Sequence, residues 1–203
     1  MDDTDLQPMV AAQFLALAQL LEAASESEWD TASLCESWRV REVVAHLTMA
    51  ARYSEDEFMA ELRQDDFDFT RLSNRVAARD ALLATNELVA HVRADVMAHW
   101  TPPGGGFGGA LNHVVIHSLD VTVPLGRVRL SSDKAIRVVL DDLTVGGGHA
   151  HFGTELEGRR LEATDLDWSY GSGAVLRGAA HDLALAICRR AIPDDRLEGT
   201  PLA

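Results

Sequence analysis

Residues 110–123 read ALNHVVIHSLDVTV, and the fold turns on whether this stretch is a helix or a strand. Its density of Val, Ile and Thr would suit a buried strand. On a strand His113 and His117 share a face, but Asp120 points the other way. On a helix, four residues advance about 400°, so both imidazoles project from one side a turn apart. Asp120, three residues beyond His117, then joins them. The helical reading is favoured by what precedes it, because the chain up to this point offers helical patterns in series.

Working backward, Val10, Phe14, Leu17 and Leu21 recur at four, three and four within segment 6–24, one face of a helix. A turn-like stretch from Ser25 to Ser37 contains Trp29. Ser37 is then expected to cap a second helix with the stripe Val40, Val43, Val44, Leu47 and Ala51. The acidic segment Asp65 to Phe69 reads as a solvated connection. Residues 70–100 read as one long helix with a seam of Leu72, Val76, Leu83, Ala90 and Met97, ended by Pro102-Pro103-Gly104-Gly105-Gly106. That glycine run is no phosphate loop, since no Gly-Lys-Ser/Thr follows. Four helical segments in series predict a mainly α chain, with a four-helix bundle over residues 1–126.

Working forward, Pro124 and Gly126 close the stretch and the character changes. Ser131 or Ser132 would cap a short helix through Leu143, and Gly146-Gly147-Gly148 would break it. Segments 151–156 and 160–168 read as a hairpin turning at Glu157-Gly158. Val175, Ala179, Leu183 and Ile187 mark a closing amphipathic helix. Residues 127–203 are therefore expected to form a small α+β domain.

The 203 residues carry 18 Lys+Arg against 32 Asp+Glu, a formal charge of −14. Such an acidic chain is poorly suited to a nucleic-acid backbone or an anionic membrane surface. The opening MDDTD is acidic where a secretory signal would be basic. Cys35 and Cys188 are the only cysteines, too few for a disulfide framework. These features predict a cytoplasmic protein, monomeric or homodimeric. Lys134 is the sole lysine, a usage that hints at a GC-rich bacterial source.

Of eight histidines, the pair His113 and His117 is the informative one. Two imidazoles so spaced can share a cation, and Val114, Ile116, Val121 and Val123 flank them with apolar surface that makes unsatisfied ring nitrogens costly. The same spacing also fits two core-edge histidines bonded to neighbours. Asp120 either orients an imidazole or solubilises the helix end. His46, on the flank of the second helix's stripe, is the best third ligand, because bundles bridge metals between facing helices. His91 and His99 read as exposed helix positions, His149 and His151 as a surface turn, and His181 as structural. Cys35 reads as a small packed side chain and Trp38 as the anchor of a helix start.

The stretch Trp29 through Leu47, WDTASLCESWRVREVVAHL, resembles the N-terminal signature of the mycothiol-dependent maleylpyruvate isomerase family, within the DinB-like superfamily of four-helix metalloproteins. The matching residues are Trp29, Cys35, Trp38 and Val44-Ala45-His46-Leu47. NHVVIHSLDV resembles the family's later helix, with ligands four apart followed by Asp, and Gly173 to Arg190 its closing helix. The resemblance implies that His46, His113 and His117 bind one divalent cation, usually zinc. An open coordination position would take the thiol of mycothiol, the sugar thiol of actinobacteria. It also implies a closing-helix arginine facing the cleft between domains, with Arg190 as the catalytic candidate beside Asp120, and Arg189 as the cofactor-binding one. Cationic residues complementing a helix C-terminus would look the same.

The isomerases commonly carry Glu where His113 stands, whereas three histidines are common among thiol transferases of the superfamily. Three neutral imidazoles leave a divalent site at about +2, favouring loss of a proton from a bound thiol or water. The expected chemistry is therefore thiol S-transfer to, or isomerisation of, a small electrophile. Metal-assisted hydrolysis and a non-catalytic small-molecule-binding or regulatory role are the alternatives.

Overall fold

The computed structural model describes residues 3–202, in two compact units, Met1–Val128 and Arg129–Ala203. In the first, α1 (Asp3–Glu22) is followed by a single helical turn, α2 (Glu26–Trp29), and by α3 (Val40–Leu47). Next come α4 (Glu55–Gln64), α5 (Phe69–Asp80), α6 (Thr85–Val92), α7 (Asp95–His99) and α8 (Gly106–Thr122). The expected mainly α architecture holds, and residues 110–122 are helical. α1 packs on α8, α6 and α7, while α3 packs on α5, α8 and α6. The four apolar residues of the α1 stripe are all buried, as are Val40, Val43, Val44 and Leu47 of α3.

Three expectations for this unit need correction. Ser37 is not the cap of α3: it sits in the left-handed region at φ 66°, and Arg39 occupies the N-cap. The helix start is instead set by Glu42, whose carboxylate accepts the Arg39 amide at 2.8 Å, and by an isolated β-bridge between Ala32 and Arg39. Residues 70–100 are three helices, not one. The carbonyl of Ala81, just past α5, accepts a hydrogen bond from Arg41 of α3 at 2.9 Å, satisfying a group left open by the helix end. The breaks reset the helical phase, so Leu88, Val89 and Val92 are buried and Ala90 is exposed. Nor is Asp65 merely solvated: its carboxylate accepts the Arg75 guanidinium at 2.6 Å.

In the second unit, α9 (Asp133–Thr144) begins at Ser132, whose hydroxyl accepts the Ala135 amide at 3.2 Å. Strands β1 (Arg159–Ala163), β2 (Ser169–Gly171) and β3 (Ala174–Gly178) lead to α10 (Ala180–Ile187), and β4 (Leu197–Gly199) completes the sheet in the order β2-β1-β3-β4. The central pair β1 and β3 is parallel, with Leu161 opposite Leu176 and both buried. α10 packs on these two strands and on α9.

The expected hairpin is displaced. Left-handed Gly147 and Gly153 (φ 80° and 66°) bracket a 3-10 turn at Gly148–Phe152, and β1 pairs antiparallel with β2 instead. Gly173, at φ 120°, permits the approach to Gly158, because a Cβ there would collide with the Gly158 carbonyl. Val175 belongs to β3 rather than to the closing helix, which starts at Ala180, where the Asp165 carboxylate accepts the Ala180 amide at 2.7 Å. Among the described residues, no helix is long and apolar enough to cross a membrane.

Candidate metal centre

α3 and α8 lie side by side in the first unit, and their facing sides carry His46, His113 and His117. The ring centroids are 5.2 Å apart for His46 and His113, 5.0 Å for His46 and His117, and 4.8 Å for His113 and His117. One ligating nitrogen from each lies within 4.8 Å of the others, and the Nε2 atoms of His46 and His113 approach to 3.2 Å. His46 and His113 thus converge from positions 67 apart along the chain.

Both rings of that closest pair are held neutral. Burial, reinforced by the neighbouring His117 and His113, pushes the His46 pKa well below the usual value. Burial and then His117 push His113 down to about 3. A neutral imidazole offers a lone pair, which is the form a cation requires. The Nδ1 atoms of His46 and His113 are buried without a hydrogen-bond partner. Two neutral rings meeting Nε2 to Nε2 can share one proton at most, whereas a cation placed among the three rings accepts every facing lone pair. The residues therefore fit a divalent ion with nitrogen ligands.

The orientation of His117 has a visible cause. Its Nδ1 lies 2.9 Å from Oδ2 of Asp120, one turn along α8, and Asp120 is fully buried. With the carboxylate accepting at Nδ1, Nε2 is the nitrogen left for the cluster. Cys35 completes the arrangement. Its Sγ donates to the same Asp120 oxygen at 3.0 Å and lies 3.7 Å from His117 Nδ1. Cys35, His117 and Asp120 form a second set of atoms close enough to hold an ion. In that set the donors and acceptors already match one another, so the three imidazoles are the better candidate. No further such group occurs among the described residues.

Aromatic rings border the cluster. Trp38 lies 5.0 Å from the His46 ring, Phe69 6.2 Å from it, and Trp100 5.5 Å from His113. Trp38 does stand just before α3, and its indole N–H is fixed by Asn74 Oδ1 at 2.9 Å. The parts played by Cys35, Phe69 and Trp100 were not legible locally, because each meets a histidine or aspartate far along the chain.

His91 and His99, in the first unit, do not join the cluster. His99 is exposed and bonds the Asp95 carbonyl. His91 is half-buried rather than exposed, and burial lowers its pKa. His149 bonds the Thr154 carbonyl at 2.7 Å. Arg189 and Arg190 end α10 in the second unit. Arg189 takes a left-handed φ of 56° and donates to the Gly153 carbonyl, while the Arg190 amide closes back on the Leu185 carbonyl at 2.9 Å. With the Arg189 amide on the Ala186 carbonyl at 3.0 Å, the Arg190 bond makes the hydrogen-bond pair of a Schellman helix end.

Residues 10–105 match the family model described as the mycothiol maleylpyruvate isomerase N-terminal domain. Over these residues the chain is similar to that family. The matched segment contains Cys35 and His46 and stops before α8. Two solved structures share the fold over nearly the whole chain. One is described as the mycothiol-dependent maleylpyruvate isomerase, with a TM-score of 0.65, 14% identity, and coverage of 98% of this chain and 93% of that one. The other, a histidine-to-alanine variant under the same description, gives 0.63, 15%, and the same coverage. No sequence among the curated proteins matches the chain.

Proposed function

We propose that this chain is a divalent-metal-dependent enzyme that uses mycothiol to act on a small electrophile, by S-transfer or by isomerisation through a transient adduct. The observation that carries the reading is the meeting of three imidazoles, two of them held neutral, at the α3–α8 contact. In the proposal His46, His113 and His117 hold the ion, zinc being the natural choice for an all-nitrogen site. When bound, the ion supplies Lewis acidity that eases loss of a thiol proton near neutral pH. Asp120, bonded at His117 Nδ1, would leave Nε2 free to bind such an ion. Three neutral ligands, with no carboxylate among them, would leave a bound ion its full dipositive charge, which favours S-transfer.

In S-transfer the thiol sulfur bonds to an electrophilic carbon while a leaving group departs with its electron pair. In isomerisation the sulfur adds, the carbon framework rotates, and the same bond breaks again. Arg190 and Arg189 remain candidates for anionic groups of the substrate or thiol. Trp38, Phe69 and Trp100 supply apolar contact near the histidines.

Elemental analysis of the native protein beside His117→Ala tests the ligand set. About one divalent ion per chain in the native protein, lost in the variant, is expected; equal metal in both would overturn it. Turnover of an electrophile with mycothiol, abolished by chelation, is expected as well. Product formed without thiol would point to hydrolysis, and no turnover by metal-loaded protein across electrophile classes would point to a non-catalytic role.

A further inference from the structure

We infer that Cys35 is a positioning residue for the metal centre, holding the Asp120 carboxylate against His117; the inference rests on the reading of His117 as a ligand. An aspartate three residues after a histidine on a helix has freedom in its side-chain torsions, so its grip on the ring needs an outside support. The loop before α3 supplies one. The Leu34 amide donates to the Asp120 carbonyl at 3.1 Å, and the Cys35 thiol donates to Asp120 Oδ2 at 3.0 Å. That oxygen is the one 2.9 Å from His117 Nδ1.

The loop is itself braced. The Ser33 hydroxyl donates to the Trp38 carbonyl at 2.8 Å and accepts the Cys35 amide at 3.1 Å, which ties the Cys35 backbone to the residues just before α3. Cys35 is 8% exposed and Asp120 fully buried, which leaves little access for water to replace a lost donor. A thiol, a carboxylate and an imidazole thus form one chain of hydrogen bonds that ends at His117 Nδ1, across the ring from the nitrogen left for the cluster. Outer partners of this kind alter metal affinity by roughly 10- to 100-fold when removed.

The test is Co(II) binding by the full chain, with affinity and visible absorption recorded for wild type, Cys35→Ser, Cys35→Ala and Cys35→Val. Ser keeps an O–H donor; Ala and Val remove it, and Val keeps the space filled should Ala fail to fold. The expected result is near-wild-type affinity and spectrum for Ser, against at least about a tenfold loss and altered d–d bands for a folded Ala or Val protein. Wild-type binding by a folded Ala or Val variant would overturn the inference while leaving the metal reading intact. So would a loss in Ser equal to that in Ala, or a thiolate-to-cobalt charge-transfer band in wild type, which would make Cys35 a ligand. Failure of the wild-type protein to bind Co(II) would sink the metal reading and this inference together.

Discussion

Replacing Asp80 with Ala is expected to destabilise the first unit by about 3 kcal/mol. The Asp80 carboxylate ends α5, where it meets Arg52 at 3.1 Å, Arg79 at 2.9 Å and the Tyr53 hydroxyl at 2.5 Å. The Asp80 and Arg52 side chains are each only 9% exposed, whereas Arg79 is 45% exposed. Removing one partner of a buried pair strands the other charge, typically about 3–5 kcal/mol. The Arg79 contact, screened by water, adds no more than about 0.5 kcal/mol. The lower end of the range is chosen because Arg52 keeps acceptors at the Ala45 carbonyl and at Thr48. With a urea m-value near 2 kcal/mol/M, the midpoint should fall by roughly 1.5 M.

The pH dependence has a definite sign. Burial works against the Asp80 charge, but hydrogen bonds from Tyr53 and Arg79 and the charges of Arg52 and Arg79 outweigh it, holding the carboxyl below its usual range. The contribution is therefore complete above the ordinary aspartate value near 3.9 and is lost as pH falls through the lower folded-state value. The gap between wild type and Asp80→Ala should be constant from about pH 5 to 7 and shrink below about pH 4. Urea melts across that range, with an Arg52→Met double-mutant cycle, measure it. A loss under about 1 kcal/mol at pH 7, or a cycle with no coupling, would refute the assignment of a stabilising buried pair.

Trp29→Ala removes a side chain that is 1% exposed and should cost about 3–5 kcal/mol in chemical denaturation. Ser132→Ala strips α9 of its hydroxyl cap and should lower the stability of the second unit by about 1 kcal/mol. Arg189→Gly relieves a left-handed backbone position and should raise thermal stability by about 0.5–1 kcal/mol. If Arg189 also binds the thiol, the KM for mycothiol should rise in that more stable protein; an unchanged KM would exclude the role.

The elements legible from sequence are those whose signals are local. The α1 stripe, the helical spacing of His113 and His117, and Ser132 as a cap each lie within a few turns of chain. The breaks in 70–100 escaped because Ala81–Ala84 contains neither Gly nor Pro; one of them depends on Arg41 reaching a carbonyl 40 residues away. The same holds at the candidate metal centre. The spacing shows that two imidazoles share a face, yet only packing brings His46 to them, and no local pattern announces that Cys35 meets Asp120 85 residues on. Val175 misled for another reason: it continues a helical spacing while its neighbour Leu176 pairs with Leu161 in a parallel sheet.

α8 begins without a side-chain cap, and its first turn nests on Pro102, where a Cβ at Gly105 or Gly109 would come within 2.8 and 3.0 Å of the proline ring. The rod is seated by shape at one end and clasped by the Leu34–Asp120 bond at the other. Lengthening the connections between α3 and α8 would leave the azimuth of that rod untouched. A single residue inserted between Gly109 and His113 would swing the histidines about 100° relative to that seat, so evolution is free to vary these loops but not the count of residues within this one turn.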